Sequence, residues 1–162
     1  MKRVLIVDDD KDIRTSLEEI LATEFLVSAA SGKDEALKEL RNPNKPDIML
    51  LDVKMKSEQE GFELVSEKDN DPELQKIPVI IVSSIETLSC TYATAEMARE
   101  MREKYGYDNL NVLVLRAVTG EVLIDFKSFR DNRSVVIKVD GFHSKPIQPK
   151  KLISEIDAVV NK

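Results

Sequence analysis

The stretch VLIVDDDKDIR, residues 4–14, holds the key to the fold. Val4, Leu5, Ile6 and Val7 form an apolar run without alternation, as expected of a strand buried on both faces. The run stops at Asp8, Asp9 and Asp10. A helical pattern follows at once, with Ile13, Leu17, Ile20 and Leu21 on one face. A charge run ordinarily belongs on a solvated surface, and Asp9 or Asp10 has a simple use as the N-cap of that helix. Yet these aspartates stand where a buried strand ends, and the rest of the chain bears on why.

Outward from this stretch, strand and helix alternate. Strands are expected at Lys2–Val7, Phe25–Ala29, Asp47–Leu51 and Pro78–Val82. Helices are expected at Asp10–Thr23, around Ala36, Leu37 and Leu40, and at Gly61–Lys68. The segments NPNKP (42–46) and NDPELQKIP (70–78) punctuate them. Apolar strands separated by helices imply an α/β fold, a doubly wound parallel sheet covered on both faces.

After Val82 the rhythm changes. The spacing of Leu88, Tyr92, Ala95, Ala98, Met101 and Tyr105 predicts a long helix over Glu86–Tyr105. Three β-like runs follow, Asn111–Val118, Glu121–Lys127 and Ser134–Val139, with Thr119-Gly120 as a hairpin turn between the first two. The α/β rhythm resumes at Gly141–Lys145. Pro149 then opens a last helix that turns Leu152, Ile153, Ile156 and Val160 inward. The expectation is a single domain over 1–162 with a β-rich insertion at 107–139.

Composition narrows the function classes. The chain has 162 residues, of which 42% are apolar and 33% charged, the balance of a folded globular domain. A formal charge of −6 argues against direct nucleic-acid binding, which needs a basic surface to neutralise phosphates. No helix-turn-helix or zinc-finger spacing is present. The apolar runs are too short to insert in a membrane, and no signal peptide follows Lys2-Arg3. The lone Cys90 has no internal disulfide partner and reads as a packing residue. The expected location is therefore the reducing cytoplasm.

In an open parallel sheet, ligands bind beyond the carboxyl ends of the strands. Asp8 and Asp9 follow the first strand and Asp52 follows the third, in DIMLLDVKM. With those strands side by side, three carboxylates converge. Two such charges ~5 Å apart repel by about 3 kcal/mol at an effective dielectric of about 20, so a cation is called for. All-oxygen ligands without nearby Cys or His select a hard ion, Mg²⁺ before Zn²⁺. Ser83 and Lys145, after the fourth and fifth strands, add a hydroxyl and a positive charge. A carboxylate nucleophile, a metal, a hydroxyl and a lysine are the parts that phosphoryl transfer requires. Taken singly, each has an ordinary reading: Asp52 as a turn residue, Ser83 as a helix cap, Lys145 as a solvated charge. Together, at successive strand ends, they form a set.

The motifs VLIVDDDKDIR, PDIMLLDVKM, IPVIIVSS and GFHSKPI, in this order, resemble the receiver domain of two-component response regulators. The likeness covers Met1 to about Ile85 and Asp140 to the C-terminus. It implies a flavodoxin-like five-stranded parallel sheet of order 2-1-3-4-5; the β hairpin or insert expected before strand 5 is the chain's largest departure from the family. It further implies that Asp52 accepts a phosphoryl group from a sensor histidine kinase or a phosphotransfer protein. Asp8 and Asp9 would be the acidic pair, and Mg²⁺ would be held by Asp9, Asp52 and the backbone carbonyl of Lys54, with Asp8 acting mainly through water. Ser83 would be the switch hydroxyl, Phe142 the switch aromatic, and Lys145, before a cis Pro146, the phosphate-binding lysine. The chain departs from the family at Lys56, where Pro is common, and KMKSEQEG (54–61) is longer than usual.

The leading expectation is a stand-alone receiver, a phosphorylation-controlled switch that catalyses only its own phosphorylation and dephosphorylation. A phosphohydrolase of the haloacid-dehalogenase kind is the alternative: Asp8 and Asp10 fit its D-x-D, but Asp12 stands where Thr or Val belongs. A phosphorylation-independent binding module on the same fold is a third, which the intact acidic pair, Asp52, Ser83 and Lys145 count against. His143 reads as a sheet residue, having no second His or Cys partner. The insertion reads either as a cover for an edge strand or as a contact surface for a partner or a second copy in a homodimer.

Overall fold

A computed structural model describes residues 1–53, 58–128 and 130–162, with the side chains of residues 58 and 59 left aside. The loop departures expected at Lys54 and Lys56 lie outside the described residues. Two compact units result, one from Met1–Ser84 with Phe142–Lys162, the other from Ile85–Gly141.

The first unit holds β1 (Arg3–Val7), α1 (Lys11–Leu21), β2 (Leu26–Ala30), α2 (Lys33–Leu40), β3 (Ile48–Leu51), α3 (Glu58–Asp69) and β4 (Val79–Ser83). The other unit follows β4. The last strand and helix are numbered with it in chain order, as β9 (Gly141–Ser144) and α5 (Pro149–Val160). The sheet has order β2-β1-β3-β4-β9, the expected 2-1-3-4-5 arrangement with β9 as its fifth strand. β1 pairs in parallel with both β2 and β3, and Val7 stands opposite Leu51 and Ala30.

The absence of alternation in β1 and β3 follows from burial on both sides. Val4, Ile6, Ile48, Leu50, Ile80 and Val82 pack with Leu17 and Leu21 of α1 and Leu152 and Ile156 of α5. Alternate residues Leu5, Met49 and Leu51 are equally inaccessible, and α2 packs against β1, β2 and α3. Each fully buried Leu or Ile contributes about 2 kcal/mol of transfer free energy. A one-residue slip would exchange the two faces and lose both packings at once. Asp10 starts α1: the backbone N–H groups of Asp12 and Ile13 donate to its Oδ1 at 2.8 and 3.4 Å. Pro149 occupies the first turn of α5, where a missing N–H costs nothing.

The second unit departs from expectation at its start. Thr87–Cys90, read from spacing as the first turn of a long helix, is a strand, β5, and the helix α4 is confined to Ala95–Lys104. Thr94 caps α4, accepting from the Met97 N–H at 3.1 Å. Thr, Ser, Cys and Tyr are weak helix formers, so long-range pairing decides this stretch. β5 runs parallel to β6 (Val112–Ala117), with Leu88 opposite Leu115. A parallel pair needs a crossover, and α4 is that crossover. Tyr92 and Tyr105, part of the spacing that predicts the long helix, both lie outside α4 and are exposed. β6, β7 (Val122–Lys127) and β8 (Ser134–Val139) form an antiparallel meander in the order β5-β6-β7-β8. The Thr119-Gly120 turn joins β6 to β7, with Gly120 at φ 98°, a conformation that favours glycine. This additional element is a mixed four-stranded sheet with its own helix, consistent with an insert ahead of the fifth strand of the parallel sheet.

Its core contains Ala98, Leu113, Leu115 and Leu123, with Met97 and Met101 packed on them. A buried ion pair lies in the same unit. Arg102 Nε donates to Asp125 Oδ2 at 3.2 Å, and both side chains are buried. Arg102 also donates to the carbonyl oxygens of Tyr107, Leu110 and Asp125. With a longer donation from Nη2 to Asp125 Oδ1 at 3.5 Å, all five guanidinium N–H groups are used, the condition under which a buried charge is tolerated.

Candidate functional site

The backbone ladder continues one residue past β1 and β3. Asp8 N–H donates to Ala30 O at 3.1 Å, and Asp52 N–H donates to Val7 O at 2.9 Å. These bonds hold Asp8 and Asp52 side by side at the carboxyl ends of neighbouring strands. Both are buried, at 1% and 5% exposure. Asp9 is exposed, and Asp10 is spent on capping α1. Of the three carboxylates expected to converge, Asp8 and Asp52 are buried side by side, while Asp9 stands exposed at the same strand end. Among the described residues, no group of three or more Asp, Glu, His or Cys side chains is assembled to hold a metal. Lys54 lies outside the described residues.

Lys145 reaches this pair across 93 positions of chain: its Nζ donates to Asp52 Oδ2 at 2.8 Å. Its backbone N–H donates to Ser83 O at 2.9 Å, which ties the end of β9 to the end of β4. Ser83 itself is fully buried, as is Phe142 on β9 at 2% exposure. The Lys145–Pro146 peptide bond is cis, as expected.

Asp8 is the strained member. Its Oδ1 accepts from the Asp10 N–H at 2.8 Å, while Oδ2 is buried without a donor. Its pKa is pushed from an ordinary 3.8 to about 7, first by burial and then by the adjoining Asp52, with which it can share a hydrogen bond only when one carboxyl keeps its proton. The Asp10 N–H and the Lys145 charge pull the other way and do not cancel the rise. A buried oxygen without a donor, on a carboxyl that adjoins a second carboxyl, suits a small hard cation. The residues present fit Mg²⁺ on that ground.

Arg14 was legible only as part of a motif. One turn into α1, its Nη1 donates to the carbonyl oxygen of Asp8 at 2.7 Å, which braces the acidic strand end. An arginine one helical turn past the capping aspartate was the available signal.

The model of the response regulator receiver domain matches residues 4–101 of the chain. Phe142 and Lys145 lie beyond that match. Among solved structures, a response regulator receiver domain protein (CheY-like) from Methanospirillum hungatei is 22% identical, with a TM-score of 0.60 over 99% of this chain and 94% of that one. Chemotaxis protein CheY4 from Vibrio cholerae is 20% identical, with a TM-score of 0.59 over 98% of each chain. The signal receiver domain of a histidine kinase from Syntrophus aciditrophicus is 20% identical, with a TM-score of 0.62 over 99% of this chain and 91% of that one. At such identities the likeness speaks for the fold. No curated protein matches the chain. No helix among the described residues is long and apolar enough to cross a membrane.

Proposed function

Because the chain belongs to the response regulator receiver domain family, we propose that it is a phosphorylation-controlled switch whose phosphoacceptor is Asp52. The observation that carries this reading is the 2.8 Å ion pair between Lys145 and Asp52 beside the buried Asp8. One carboxylate oxygen of Asp52 attacks the phosphorus of a phosphohistidine on a sensor kinase or phosphotransfer protein. The P–N bond breaks, the imidazole leaves with its electron pair and takes a proton, and an aspartyl phosphate remains. Phosphoryl transfer needs mostly positioning and charge neutralisation. Lys145 transfers its ammonium contact from the carboxylate to a phosphoryl oxygen, and the Ser83 hydroxyl donates to another.

Asp9, Asp52 and the Lys54 carbonyl would hold Mg²⁺, with Asp8 acting through water. The bound ion supplies positive charge that offsets the carboxylates and the incoming phosphoryl group. The donorless Asp8 Oδ2 supports this assignment. As Ser83 follows the phosphoryl oxygens, Phe142 on the neighbouring strand repacks, which turns local charge into a change of surface. The phosphohydrolase alternative needs Asp8 and Asp10 to act together, and Asp10 is committed to its cap.

Incubation with acetyl phosphate and Mg²⁺, read by intact mass, tests the reading. One phosphoryl group should add to the wild-type chain and none to Asp52→Asn. Undiminished labelling of that variant would overturn the assignment.

A further inference from the structure

Between Phe142 and Lys145, β9 carries His143, whose ring is 1% exposed. Its Nδ1 lies 3.0 Å from Glu155 Oε1 on α5, and its Nε2 lies 3.1 Å from the backbone nitrogen of Gln148. A backbone N–H can only donate, so Nε2 is the accepting nitrogen. The ring proton then sits on Nδ1 and is donated to Glu155. The imidazole thus bridges the turn between β9 and α5 from the inside. Gln148 is the N-cap residue of α5 and makes no side-chain cap bond, so this contact fixes the helix start through its backbone instead.

That turn carries Lys145. On its near side, Lys145 N–H is tied to Ser83 O. On its far side, Gln148 N–H is tied to His143. A lysine stem is long and flexible, so where its ammonium sits depends on how firmly its backbone is held. A residue needed only to fill the sheet could be Leu or Val, as at the other buried positions of these strands. An imidazole with both nitrogens engaged performs a task that neither could.

We propose that His143 is a positioning residue for the phosphoacceptor site: by accepting from Gln148 N–H and donating to Glu155, it locks the turn that aims Lys145 at Asp52. This rests on the reading of Asp52 as phosphoacceptor, so the test has one arm that needs no phosphoryl chemistry. In that arm, the Lys145 side-chain ammonium is followed by NMR in the unphosphorylated protein. His143→Leu should move its signal to where Asp52→Asn puts it, whereas His143→Gln, which keeps an acceptor within reach of Gln148 N–H, should leave it in place. Should His143→Leu not fold, His143→Asn keeps a donor toward Glu155, loses the acceptor, and carries the same expectation as the leucine.

In the second arm, His143→Leu should slow acetyl phosphate labelling by about 10- to 100-fold, the usual effect of a misplaced group. His143→Gln should restore most of that rate. In a Lys145→Met background, His143→Leu should make no further difference, because two residues acting through one contact are not additive. An unmoved Lys145 signal in the leucine or asparagine variant, or an equal slowing in both backgrounds, would overturn the proposal. If the ammonium responds as expected while Asp52→Asn labels normally, the phosphoacceptor reading fails and the positioning of Lys145 stands.

Discussion

Replacing Asp8 by asparagine should make the protein more stable when no metal is bound. A carboxyl whose pKa is raised on folding binds more protons in the native chain than in the unfolded one. For Asp8 that excess spans the window from 3.8 to about 7. Stability therefore falls as pH rises through this window and levels off above it. The difference between the two values corresponds to about 4 kcal/mol at pH 8, a large fraction of the stability of an ordinary domain. At 1% exposure, solvent does little to screen it. Asp8→Asn keeps the oxygen that accepts from Asp10 N–H and places an amide donor where Oδ2 has none. Urea unfolding in chelator, followed by far-UV circular dichroism, would compare the two proteins between about pH 3.5 and pH 8.5. Below about pH 4 they should be nearly equal, and near pH 8 the variant should be ahead by several kcal/mol. Mg²⁺ should narrow or reverse the gap, because it stabilises only the chain that can bind it. A pH-independent difference between the two proteins in chelator would refute the reasoning.

Three further outcomes are expected. Chelator should abolish acetyl phosphate labelling, and Asp9→Ala should raise the Mg²⁺ concentration needed for half-maximal rate by at least about tenfold, the scale of losing one charged ligand, as read by titration. Beryllofluoride with Mg²⁺ should shift the amide signals of Ser83 and Phe142 as well as those near Asp52, and shifts confined to the metal site would remove the proposed coupling. Arg102→Met should destabilise the 85–141 unit by about 3–5 kcal/mol in urea, because Asp125 is left as a buried unpaired charge, and adding Asp125→Leu should recover most of the loss.

Local rules were enough for much of this molecule. Val4–Val7 and Ile48–Leu51 lack alternation because both faces of a strand in the middle of a parallel sheet are covered. That pattern carries its own meaning wherever the chain happens to go. The cap at Asp10, the turn at Thr119-Gly120 and the helix start at Pro149 depend on hydrogen bonds and dihedral angles within a few residues, and they too were legible. Asp8, Asp52, Ser83 and Lys145 could be named because each follows a recognisable strand.

Pairing decided the rest. Thr87–Cys90 satisfies a helical spacing, yet it lies in a strand because β6, more than 20 residues onward, offers it a parallel ladder. Which of three successive aspartates is buried follows from the direction in which β1 ends beside β3, and the sequence of charges is silent on that. Arg102 with Asp125, and His143 with Gln148 and Glu155, are separated by turns whose closure no periodicity encodes. A charge or an imidazole acquires its role from the one group that folding places within about 3 Å of it. That distance belongs to the tertiary structure alone.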